Sequence, residues 1–363
     1  MDAVRVVALV LVVAIHCDHW PYQSSGAARA TWTTVDLLCR VSVPLFLLLS
    51  GFLLAYGSQE TLPLRRFLRR RLGRSLLPWV VWMPVYTVVG CLLTREITPT
   101  PEGIWTWWAL GGGHLWYLLL VPQVYLVFQA WPRSDRGIWV AAAVSVAVQV
   151  ALCVYRLWAP AASPLGGFLL AHGYQVCPLW IGYFGVGVAL GRWRARHWHS
   201  GVRLGWGVTG LSWAAVAGGA VLLLLVDGRG TPNAVYAQGT GAFLLPTLVP
   251  LTVAVFVAVA VTLDGPLGRW PVIAEGVGAL SRYALGIYIV HEALTYLSGP
   301  LQYLPAARAY LGVAVPLFGF QVLVTLVLAY GVSRLLAAGP LAITVGLPPR
   351  PLRWSRWRRP LAI

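Results

Sequence analysis

The sequence contains no lysine: every one of its 27 basic residues is an arginine. Acids are scarce too, 11 in 363 residues, and charged residues of all kinds make up 10%. A soluble domain carries about 25%, so a water-facing globule is excluded. Cys-x-x-Cys pairs are also missing. The five cysteines (Cys17, Cys39, Cys91, Cys153, Cys177) are odd in number and scattered. That gives neither a disulfide framework nor a thiolate zinc site, and leaves them as small apolar fillers. The strict apolar/polar alternation of a membrane β-barrel is absent as well.

What is present is apolar sequence in long runs. Hydrophobic residues make up 58%, mean hydropathy is +0.72, and runs of about 20 residues recur, enough to cross a bilayer as a helix. The fold expected is all-α, a polytopic transmembrane helix bundle. About ten spans are expected, at 4–20, 35–57, 76–94, 113–131, 138–158, 174–191, 205–226, 241–263, 283–298 and 310–336. A pI near 10.3 would suggest nucleic acid in a soluble chain. Here basic residues concentrated in cytoplasmic loops explain it, and no nucleic-acid partner is expected. With the N-terminus inside, 21 of the 27 arginines fall on the cytoplasmic side, including the cluster 65–74. Arg29, Arg40, Arg95, Arg156, Arg229 and Arg308 stay outside. Both termini are therefore expected in the cytoplasm of a multi-pass protein of the plasma or inner membrane, with the lipid bilayer as standing partner.

The first segment ends without a small-x-small cleavage site, so it reads as a retained helix. Outer loops are short and turn-rich, as in Thr-Pro-Thr-Pro-Glu, and no internal repeat is visible. One membrane domain, 1–340, is expected to precede an Arg/Trp-rich cytoplasmic tail, 341–363, resting on the anionic inner leaflet.

Ionisable groups inside spans are costly and mark function by default. His16, Asp18 and His19 lie at the outer end of the first span, Asp36 and Arg40 in the outer turns of the second. His114 opens the fourth, and His291 and Glu292 lie midway or further out in the ninth. Arg5 and His16 are eleven residues apart, hence on one helix face and about 16 Å apart along the axis. Asp36 and Arg40, at i and i+4, can pair, which would let both charges tolerate apolar surroundings. His19 reads as interfacial. His172, His197 and His199 fall in expected loops. A metal on His16 and His19 lacks an HExxH-type pattern, and none is expected.

Five stretches in order resemble the acyltransferase-3 family of integral-membrane acyltransferases. Arg5 followed by ten residues and His16 resembles its Arg-x10-His first helix. The run from Arg40 to Ser50-Gly51-Phe52 resembles its second-helix motif. Arg71-Leu-Gly-Arg74 before Pro78 resembles its Arg-x-x-Arg loop. His114-Leu-Trp116-Tyr-Leu resembles a His-Leu-Trp-Phe-Leu motif, and Ser281 to Tyr288 and His291 resembles the late Ser-Tyr-x-x-Tyr-Leu-x-His motif. The Val-Pro before Phe46 and the His-Leu-Trp form resemble the small O-acetyltransferase branch without an appended extracytoplasmic domain. Arg282 inside the late motif is a departure, and the resemblance is weak for 138–280 and after 300.

The resemblance implies an acyltransferase that moves an acyl group, acetyl by default, from cytoplasmic acyl-CoA to a hydroxyl of a cell-surface or lipid-linked carbohydrate. Acyl-CoA is then the co-substrate. Arg5, Arg71 and Arg74 would hold it, as guanidinium forks suit phosphate, although positive-inside topology alone also explains the cluster. His16 would act as general base or acyl carrier, with Asp36 orienting it and Arg40 or His114 stabilising the oxyanion. Ser50, Trp116, Tyr288 and His291 are supporting residues. A transporter or exporter of a polysaccharide or small molecule is the competing class, and a non-catalytic subunit with a degenerate acyltransferase fold a third.

Overall fold

The computed structural model describes residues 1–17, 26–57, 63–94, 97–109, 111–158, 163–197, 206–226, 243–264, 270–298 and 311–347. Asp18, His19, His199 and the tail after Leu347 lie outside them. Every described element is helical. In chain order they are α1 (Asp2–Cys17), α2 (Gly26–Cys39), α3 (Ser42–Tyr56), α4 (Leu64–Val89), α5 (Pro101–Ala109), α6 (Tyr117–Gln129) and α7 (Asp135–Trp158). Then follow α8 (Pro164–His172), α9 (Ile181–His197), α10 (Trp206–Val226), α11 (Leu248–Asp264), α12 (Pro271–Arg282), α13 (Ala284–Ser298) and α14 (Leu311–Leu336).

Five helices are long and apolar enough to cross a membrane: Thr31–Tyr56, Arg65–Leu92, Asp135–Trp158, Gly207–Val226 and Val313–Leu336. The number rises to seven if two bent pairs each make one span. Other expected spans hold helices too short to cross alone: α1 has 16 residues and α9 has 17, where a crossing takes about 20.

The centre of the bundle is α1. It packs on α2, α3, α11, α12, α13 and α14, and Val4, Ala8, Leu9, Val12 and Val13 are buried on it. This central seat gives its two ends, Arg5 and His16, access to the interior. The tightest pairing is α3 with α9. A Cβ added to Gly187 would lie 2.0 Å from the Leu48 carbonyl oxygen, and one added to Gly51 2.3 Å from that of Phe184. Glycine is required there because backbone meets backbone. This accounts for the Gly of Ser50-Gly51-Phe52 physically.

Several expected boundaries change. The span expected at 35–57 is interrupted at Arg40 and Val41. Pro44 has no N–H to give the Arg40 carbonyl and its ring crowds that carbonyl, so the helix opens there. The arginine cluster, expected as a loop, is helical: α4 starts at Leu64, straight after Pro63, and arginine is a good helix former. The turn at 98–100 leads into α5, which Thr100 caps by accepting from the Gly103 N–H at 3.2 Å with Pro101 at the first position. Likewise Ser163 accepts from the Gly166 N–H at 3.0 Å and starts α8. Hence His172 ends α8 and His197 ends α9, rather than lying in loops. Both short helices fall below the length of a span and escape a hydropathy reading. The first residues of the expected tail, from Leu341, belong to a 3₁₀ turn, Pro340–Val345, tied to α4 by Trp82 Nε1 donating to the Thr344 carbonyl at 3.0 Å.

Candidate active site

Three histidines from three elements meet in the bundle. His16 comes from the end of α1, His291 from α13, and His114 from a 3₁₀ turn, Gly113–Trp116, ahead of α6. Ring centroids are 4.8 Å apart for His16 and His291, 5.8 Å for His16 and His114, and 5.0 Å for His114 and His291. Gly111, Gly112 and Gly113 deliver His114. All three have left-handed φ, +84°, +66° and +54°, which side chains rarely adopt.

The hydrogen bonds constrain the protons. His114 Nε2 lies 3.1 Å from the Ile289 carbonyl oxygen. A carbonyl only accepts, so Nε2 carries a proton. Nδ1 pairs with Glu292. His291 is fully buried and its Nδ1 donates to the Tyr288 carbonyl at 2.6 Å. Its Nε2 has no hydrogen-bond partner among the described residues. The Tyr288 hydroxyl donates to the His114 carbonyl, so the late motif and the His-Leu-Trp motif are pinned together.

Asp36 is 2% exposed and takes Arg40 bidentately, at 2.7 Å from Nη2 and 3.0 and 3.1 Å from Nε. The Arg40 Cζ sits 4.7 Å from the Phe243 ring centroid. Thus the expected i, i+4 pair forms, and its carboxylate is engaged by Arg40.

Two cavities hold the remaining residues. One at the His16 end of α1, hereafter the outer cavity, measures about 330 Å³ and is lined by His16, Arg40, His114, Trp116, Tyr288 and Glu292, with Trp107, Tyr174 and Phe243 among its aromatic walls. An inner cavity of about 310 Å³ is lined by Arg5, Ser50, Arg71, Arg74, Tyr117, Arg282 and Tyr288. Tyr288 borders both. Arg5 donates to Ser281 Oγ at 2.5 Å and to Asp2 at 3.1 Å. Arg71 lies over the Tyr125 ring at 5.8 Å. Ser50 donates to the Phe46 carbonyl at 2.8 Å.

The sequence reading therefore named residues that converge, in two groups. Asp36 and His291 stand behind the walls, through Arg40 and beside the other rings. Glu292 was noticed as an ionisable group and given no role. Its signal was an acid in an apolar helix directly after a histidine. Gly111–Gly113 was overlooked, although three glycines before a histidine already signal an unusual backbone. Among the described residues, no group of three or more His, Cys, Asp or Glu is disposed to hold a metal ion.

The acyltransferase-3 family model, described as an acyltransferase domain, matches residues 1–336, nearly the whole chain and every residue of both cavities except Val345, Gly346 and Leu347. The chain belongs to the acyltransferase-3 family. No similar curated protein and no similar solved structure was found. This acyltransferase is thus a multi-pass membrane protein whose matched segment contains the three histidines, Glu292 and the four arginines of the inner cavity, Arg5, Arg71, Arg74 and Arg282.

For acyl transfer the site offers three things. His16 provides an imidazole on a cavity wall. Arg40 provides a guanidinium whose orientation Asp36 fixes. His114 is held by Glu292 on one side and Ile289 on the other, so its ring cannot turn without breaking both contacts.

Proposed function

We propose that this acyltransferase moves an acyl group, by default acetyl, from cytoplasmic acyl-CoA to a hydroxyl of a cell-surface or lipid-linked carbohydrate. It does so across about ten spans of the plasma or inner membrane, with both termini in the cytoplasm. The observation that carries the reading is the pair of cavities in series, bordered in common by Tyr288. The inner one has arginines and, among the described residues, no acid on its wall, which suits phosphates and a diphosphate above all. The outer one has the histidines, which suit proton transfer.

In this mechanism the thioester passes Tyr288 into the outer cavity. His16 takes the proton of the acceptor hydroxyl, and the oxygen bonds to the thioester carbonyl carbon. The carbonyl oxygen becomes an oxyanion, met by the Arg40 nitrogen that Asp36 does not occupy. The C–S bond then breaks, and the coenzyme thiolate takes the proton back from His16. Atoms and charge balance without a metal or an external base.

The test is acyl transfer from labelled acetyl-CoA by purified His16→Ala protein. Loss of the base predicts a fall in kcat of about 10²–10⁴-fold. Near-normal turnover would remove His16 from the chemistry. The acceptor class is tested by mass spectrometry of surface glycans with and without the gene. An unchanged acyl content there would redirect the search to non-carbohydrate acceptors.

A further inference from the structure

A third cavity opens at the inner rim, about 930 Å³, between the start of α1, α12 and the end of α14. It adjoins the inner cavity and shares Arg5, Ser281 and Arg282 with it. The 73° bend between α12 and α13 makes room for it. None of the five motif stretches supplies its far wall, where Tyr330 and Arg334 stand.

We propose that this cavity binds the phosphorylated nucleotide end of the acyl-CoA donor, an inference that rests on acyl-CoA being the donor. Size comes first. Ligand cavities for drug-sized molecules measure about 300–1,000 Å³. The inner cavity, at about 310 Å³, is at the bottom of that range. It has room for a thin pantetheine arm, and the nucleotide must lie elsewhere. The adjoining cavity has three times the volume.

Chemistry comes second. Tyr283 and Tyr330, edge to face with centroids 5.4 Å apart, line it and offer ring surface to a purine. Asp2 accepts from Arg5 at 3.1 Å and from Ser281 at 2.6 Å, which offsets that arginine's charge. Arg282 and Arg334 remain for phosphate oxygens, and Glu275 remains as an acceptor for the amino edge of a purine. The shared wall of Arg5 and Arg282 then falls where the diphosphate joins nucleotide to arm. Arg282, a departure from the family motif, acquires a reason in this chain.

The test uses the full-length protein in detergent and two probes. The first is adenosine 3′,5′-bisphosphate, the nucleotide end alone, measured by equilibrium binding. The second is the ratio of kcat/KM for acetyl-CoA to that for acetyl-pantetheine, which lacks the nucleotide. Arg334→Ala, Arg282→Ala and Tyr330→Ala are each expected to weaken bisphosphate binding tenfold or more and to lower the ratio by a similar factor. Arg334→Lys is expected to recover part of the loss. Arg282 and Arg334 are exposed, so these two variants leave the packing intact, and thermal unfolding checks it. If the wild type consumes acetyl-CoA and the variants keep wild-type affinity and ratio, the cavity is not the nucleotide site. If the wild type does not bind the bisphosphate, the same conclusion follows. If it binds the bisphosphate in this cavity but does not consume acetyl-CoA, the proposed donor chemistry falls and the nucleotide site stands.

Discussion

Both ring nitrogens of His114 are engaged, Nε2 by the Ile289 carbonyl and Nδ1 by Glu292. In the proposed reaction its part is therefore to hold the Glu292 carboxylate beside the other two rings, with His16 as the proposed base. Glu292→Gln isolates that role. The amide can donate an N–H to Nδ1, so the carboxylate charge is removed while the contact survives. We expect kcat to fall by on the order of 10²-fold with little change in KM for the donor, measured by steady-state acyl transfer. A wild-type kcat would sink the assignment. His16 and Arg5 were legible in the sequence because spacing within one helix is geometry. The pair of His114 and Glu292 was not, because its members are 178 positions apart and no local period brings them together. Asp36 shows the intermediate case: the i, i+4 pair with Arg40 was legible, and Arg40's presentation to the outer cavity depended on tertiary packing.

At the scale of elements, hydropathy located the apolar segments and missed the breaks that place chemistry. Pro44 opens the helix at Arg40, and three left-handed glycines turn His114 into the interior. Neither α5 nor α8, nine residues each, has the length to register as a span, although Thr100 and Ser163 were readable caps. The α3 and α9 contact gives a direct test. A Cβ at position 187 would lie 2.0 Å from the Leu48 carbonyl oxygen, and backbone on both sides cannot yield as a side chain would. Gly187→Ala should cost roughly 1–3 kcal/mol or more, seen as a lower thermal unfolding midpoint in detergent and a smaller monodisperse fraction on size exclusion. Gly210→Ala is the control, since a Cβ there meets nothing within 4 Å. Equal stability of the two variants would mean that α3 and α9 are not in backbone contact.

At the scale of the molecule, arginine asymmetry and the central seat of α1 lead to the same organisation. Arg5 sits at the end that shares its cavity with Arg71 and Arg74, and His16 at the end that faces Arg40 and His114. Between them stands Tyr288, 5% exposed, its hydroxyl on the His114 carbonyl and its ring 5.8 Å from that of Tyr117. For the proposed thioester donor, a chain of cavities with one shared wall must keep water out while letting the acyl group through, because water is a competing acceptor. The Tyr288 ring is the wall at that point. Tyr288→Ala should therefore join the cavities and uncouple the reaction: release of free coenzyme A without acceptor should rise on the order of tenfold relative to acyl transfer. Tyr288→Phe keeps the ring and loses only the hydroxyl, so it should remain coupled and show a lower rate of transfer. Thiol release and acyl transfer measured on the same samples give the ratio. Tight coupling in a folded Tyr288→Ala protein would mean that the water seal lies elsewhere along the track.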